Sequence, residues 1–244
     1  MEFRLLKAGE IDCRIAQIDK SWCTLLLYKD ARVDQNILDE TVGCMNWQRH
    51  HTRDNANCIV AIWDSEKNQW VEKEDTGTES FSQEEKGLAS DSFKRACFNW
   101  GIGRELYTAP SIFILPRKDM GKVHKPEEES NEFFVGSNGK YTTKTKFYVD
   151  YIDYDENRNI SDLIIRDHKG NCRFEQLTDK TEKEINAQFL KLKDLIVKNE
   201  EKDDNFDRSK FYEHFKVSSD NQLNMKQRAI AIKLLEQRLK KWKQ

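Results

Sequence analysis

The sequence predicts an α+β fold: an antiparallel β-meander packed on a central capped helix, followed by a small helical C-terminal module. Three observations carry it. Residues 82–107 hold one long helical pattern with a start and a stop signal. Residues 46–72 hold three short extended runs divided by turn residues. Beyond about residue 180 the apolar period becomes helical. The expected domains are a core over 1–178 and a helical module over 179–244.

In the central stretch, Ser82 can N-cap and Glu85 completes a capping box. Glu84 and Glu85 also suit the positive end of the helix dipole. Gly101 can take the left-handed conformation that closes the other end. Ala89, Phe93, Ala96, Cys97 and Trp100 form one apolar face. Lys94 and Arg95 lie beside that face, and Asp91 is within helical pairing reach of both.

The other elements follow in chain order. Leu5, Leu6, Ile11, Ile15 and Ile18 suit a short helix or two turns. Residues 22–28 are a dense apolar run, read as a buried strand. Asp30 can cap a helix over 31–42 that Gly43 stops, with Lys29 and Arg32 at its start. Residues 46–53 read as extended, so Arg49, His51 and Arg53 share one face as a basic ridge suited to a phosphate backbone. Turns at 54–57 and 64–68 separate this strand from those at 58–63 and 69–72. Prolines bracket a short strand at 112–115, and 117–132 is a charged loop. Lys140, Lys144 and Lys146, with interleaved aromatics, form a second basic cluster; it reads equally as a nucleic-acid contact or as a solvated hairpin. Strands at 147–152, 163–166 and 172–175 are expected to extend the sheet. Helices follow at 185–196, 206–215 and 225–242, with an acidic linker at 199–205.

Ser90-Asp91-Ser92-Phe93-Lys94-Arg95-Ala96, followed by Trp100-Gly101, resembles the signature helix of the Rad-fifty-two superfamily of single-strand annealing proteins, most closely its phage branch, the Sak-type recombinases. The element order over residues 5–107 agrees with that core. The resemblance implies that Lys94 and Arg95 contact phosphates of single-stranded DNA in a basic groove. It implies the same for an Arg at the start of the 31–42 helix, which is Arg32, with Lys29 beside it. Arg104, just past the helix, joins the candidate set. Eukaryotic members carry a further Arg where this chain has Phe98. The family further implies ring or helical homo-oligomers, no cofactor, a bacterial-cytoplasm setting, and docking of a host single-strand binding protein or a phage exonuclease on residues 179–244.

Composition sets bounds on these expectations. The 244 residues are 37% hydrophobic and 34% charged, with a formal net charge of -2. A nucleic-acid reading must therefore rest on local clusters. No apolar run is long enough to span a membrane, and the apolar part of Met1–Lys7 is too short for a signal peptide. The cysteines at 13, 23, 44, 58, 97 and 172 lack metal-ligand spacing and read as reduced core residues. There is no Walker A sequence and no GxSxG motif. Asp64-Ser65-Glu66-Lys67 is the nearest approach to a metal-nuclease site and reads better as a hairpin turn. The expected function is ATP-independent binding of single-stranded DNA and annealing of complementary strands, in recombination or double-strand break repair. A metal-dependent nuclease and a protective single-strand binder are the alternatives.

Overall fold

The computed structural model describes residues 1–78, 84–117 and 132–241, with backbone alone at 84–86. The chain is α+β. The strands through the central helix are β1 (Asp12–Ile18), β2 (Cys23–Tyr28), β3 (Trp47–Thr52), β4 (Asn57–Asp64) and β5 (Gln69–Thr76), with α1 (Ala31–Val42) and α2 (Glu84–Trp100). After them come β6 (Ile112–Ile114), β7 (Phe134–Val135), β8 (Tyr141–Thr142), β9 (Phe147–Tyr154), β10 (Ile160–Asp167), β11 (Cys172–Gln176), α3 (Asp179–Lys202), α4 (Arg208–His214) and α5 (Met225–Lys241). Two compact units result. One comprises Met1–Asp12 and Leu27–Ala109, the other Cys13–Leu26 and Pro110–Gln244. The second unit thus holds the later strands and the C-terminal helices together.

In the first unit β3, β4 and β5 form the expected antiparallel meander. Its turns hold Arg53, Asp54 and Asn55 in one and Asn68 in the other at positive φ, a conformation Asp and Asn tolerate. Asp64 accepts from the Glu66 and Lys67 N–H groups, so it caps its own hairpin turn. Helix α2 covers the sheet with Phe93, Ala96 and Cys97, all fully buried. Its C-terminus ends as the sequence predicts. Gly101 takes φ +92, its N–H reaches the Phe98 carbonyl, and the Ile102 N–H reaches the Cys97 carbonyl. Ser82 and the Glu85 side chain, the expected N-terminal cap, lie outside the described residues. So do 118–131 of the expected loop, and Trp242. At α1, the Asp30 carboxylate accepts from the Arg32 N–H at 2.8 Å, and Gly43 stops the helix at φ +82.

Several expectations change. Residues 12–18 form strand β1, not a helix. The spacing of Ile11, Ile15 and Ile18 suits a helix, but half-buried Cys13 and Ile15 alternate with exposed Asp12 and Arg14. The strand is fixed by distant partners, since β1 lies between β9 and β2 in a six-stranded sheet of order β11-β10-β9-β1-β2-β6. The later strands therefore do not extend the meander; they build this second sheet. Strand β2 is buried on one side only, with Cys23 and Leu25 inside and Leu26 exposed. The two edge strands of the sheet also meet, because the Arg173 guanidinium of β11 donates to the Leu115 carbonyl at 2.7 Å. The acidic linker is largely helix. Helix α3 runs to Lys202, Asn199 is buried between α3 and α5, and buried Asp203 accepts from Arg238 at 2.6 Å. All six cysteines are free; Cys23, Cys58 and Cys97 are core, whereas Cys44 and Cys172 are exposed.

Candidate nucleic-acid interface

The surface around α2 is built by the register of the meander. Arg49 of β3 and Lys73 of β5 both stand opposite Val60 of β4, which is buried under the helix. Side chains alternate across a strand, so both cations sit on the helix side, one at each edge. Each rests on an α2 aromatic. The Arg49 guanidinium lies 4.9 Å from the Phe93 ring centre, and the Lys73 ammonium 4.4 Å from that of Trp100. Trp47 stacks on Phe93 as well. Trp100 donates its indole N–H to the Val60 carbonyl at 3.0 Å. Between these anchors, buried Ser92 donates to the Asn55 carbonyl at 2.9 Å and ties the helix to the β3–β4 turn. A Cβ on Gly77 would come within 2.6 Å of the Ser92 nitrogen, so glycine is required where strand and helix approach.

Lys94 and Arg95 both lie half-buried on the outer side of α2. Arg95 donates to Asp91 at 3.2 Å, and the same oxygen takes the Thr78 N–H. Lys94 faces the start of α1, within Coulomb range of Asp30 and Asp34. Arg32 is 82% exposed there and bonds Asp30 through its side chain and its N–H. These two bonds first, with Lys94 adding to them, hold the Asp30 carboxyl down to about 2. Lys94 and Arg32 thus both act on Asp30, whereas Arg49 is held over Phe93 on the sheet-facing side of α2. Of these acids Asp30 and Asp91 are exposed or half-exposed, whereas Asp34 is fully buried.

Other expected site residues stand apart. Lys29 is a correction. Its side chain is 1% exposed, ion-paired with fully buried Asp34, and its ammonium lies 4.4 Å from the Phe98 ring centre. The reason is local space: Gly103 has no side chain, and a Cβ there would come within 2.1 Å of Lys29 Cε. Lys29 is a core residue rather than part of an exposed groove. Arg53 is exposed but sits in the turn at φ +50, beyond the end of β3, so the ridge of Arg49, His51 and Arg53 is broken at its last member. His51 shares the Arg49 face, and burial first, then Arg49, lowers its pKa. Arg104 donates to the Phe98 and Asn99 carbonyls, and Lys73 also reaches Asn99. Both cations therefore serve the negative end of the α2 dipole. Lys144 and Lys146 are exposed, lie in the other unit, and fall after the β7–β8 hairpin. Sequence reasoning missed Lys73; the alternation Val71, Lys73, Asp75 along β5 carried the signal.

Among the described residues no cluster of three or more His, Cys, Asp or Glu could hold a metal ion, and no described helix is long and apolar enough to cross a membrane. No family model matches this chain, and neither the curated proteins nor the solved structures give a match.

Proposed function

We propose that the protein binds single-stranded DNA without ATP and anneals complementary strands. Lys94 and Arg95 hold the phosphates, and Arg49 and Arg32 extend the contact. The observation that carries this reading is the pairing of a sequence motif with its setting. Lys94 and Arg95 of the motif lie half-buried on the outer side of α2, and Arg32 and Lys94 both act on the Asp30 carboxylate. Annealing needs the backbone charge neutralised while base edges stay free to test a second strand. Phosphate contacts provide the first without blocking the second.

The test follows two complementary oligonucleotides pairing without ATP, with wild type and with Lys94→Ala/Arg95→Ala, after folding and oligomer size are checked. Wild type should accelerate pairing. The folded double variant should lose that acceleration together with DNA affinity, and its plot of log affinity against log salt should flatten by about 1.4, at about 0.7 per lost single-strand phosphate contact. A wild type that binds but slows pairing is a protective binder. A folded variant that anneals as wild type removes Lys94 and Arg95 from the site.

A further inference from the structure

The second unit buries a cation that no acid among the described residues pairs by hydrogen bond. Arg228, in the first turn of α5, is 5% exposed, and its Nε and Nη1 have no hydrogen-bond partner. A guanidinium does not give up its proton in a protein, so the charge is compulsory. Asp150, a buried acid within Coulomb range, is already held by other donors. Asp150 accepts from Arg166 Nε at 2.7 Å through one oxygen and from the Met225 N–H at 3.2 Å through the other. Arg166 in turn donates to the Gly170 and Asn221 carbonyls. Two other acids within Coulomb range, Glu175 and Asp220, make no hydrogen bond to Arg228, and Glu175 is exposed. The first N–H groups of α5 do not create the demand either, since Asp150 and the Asn224 carboxamide take those of Met225 and Gln227. Two buried arginines thus share one buried carboxylate.

An unpaired buried charge is costly, and none of the described residues supplies the missing partner. We propose that Arg228 is the recognition group of an internal site for a small oxyanion, a phosphate or a carboxylate. Both classes offer several acceptor oxygens and the negative charge that would pair the guanidinium; water offers acceptors without charge. Half-buried Phe189 of α3 covers the guanidinium, its ring centre 5.3 Å away, and Lys193 lies 4.2 Å over the same ring. Phe189 is therefore the side chain that must swing aside for the ligand to enter, and Lys193 favours an anion on the way in.

The test uses the full chain and its thermal midpoint at neutral pH. Inorganic phosphate, and in a parallel arm acetate, replaces chloride at constant ionic strength. With the site present, the wild-type midpoint rises with one of the two anions, by about 3–6 °C per tenfold increase once the site is saturated. The two arms assign the class. Arg228→Met should lose that rise and, in chloride alone, melt no lower than wild type. No rise in wild type, or an equal rise in wild type and variant, overturns the proposal, because a general salt effect acts on both. Should Arg228→Met fail to fold, phosphorus NMR of phosphate and carbon NMR of labelled acetate on wild type decide instead. Saturable broadening of either that sulfate competes away supports the site, and its absence for both overturns it.

Discussion

Lys29 in the first unit and Arg228 in the second are both cations withdrawn from water, and they differ in what meets them. Lys29 finds Asp34 and the face of Phe98. Arg228 finds the face of Phe189 and no acceptor for two of its nitrogens. A buried cation with a carboxylate is part of the architecture, however inviting its position at the start of a helix. A buried cation without one is an open valence. Burial alone does not separate structure from function here; the bookkeeping of partners does.

The largest effect should come from breaking the paired case. Lys29→Met leaves Asp34 buried without its cation and should cost about 3–5 kcal/mol in urea unfolding. Lys29→Met/Asp34→Leu should recover most of that loss, because a packed apolar pair replaces an ionic one at little cost. A double variant as unstable as the single one would refute the pairing argument. The pH dependence sharpens the point. Burial first, against the pull of Lys29, pushes the Asp34 carboxyl up to about 6, and its second oxygen has no partner. The folded chain then binds this proton more tightly than the unfolded chain, where an Asp titrates near about 3.9. The group's stabilisation is complete below about pH 4 and is lost as pH rises through about 6. Subtracting the double variant's pH–stability curve from wild type's should isolate that decline; a flat difference assigns it elsewhere.

Gly103→Ala comes next. Residue 103 sits at φ +75, and its new methyl would overlap Lys29 Cε. A loss of about 1–3 kcal/mol is expected. Part of it should vanish in a Lys29→Ala background, because the two changes share one contact. Equal losses in both backgrounds would show that backbone strain alone makes the glycine necessary. The smallest effect on stability should come from Arg32→Ala, because so exposed a pair is screened by water. On DNA it should flatten the salt dependence by about 0.7, the share of one single-strand phosphate contact. An unchanged slope would leave Arg32 as a solvated helix start.

Much of the first unit was legible in the sequence because its signals are local. Asp30, Gly43 and Gly101 cap or stop helices within a few residues of where they act. The meander strands are joined by short polar turns. The outward position of Lys94 and Arg95 followed from helical spacing against Phe93 and Cys97. Three features were not legible, for one shared reason. The strand character of 12–18 depends on β9, more than a hundred residues away. The loss of Lys29 from the surface depends on Phe98 and on the space left at Gly103. The unpaired state of Arg228 depends on Asp150 being taken by Arg166 and Met225. Each is decided by a partner distant in sequence, which local periodicity does not report.

By itself, then, the sequence determined the α+β class, the capped helices, the meander and the cationic side of α2, since these rest on propensity, spacing and turn chemistry within a few residues. Tertiary structure alone decided which strands share a sheet and which cations stay in water. Sheet pairing and charge burial are settled by what arrives opposite a residue, and the chain must fold before that partner exists.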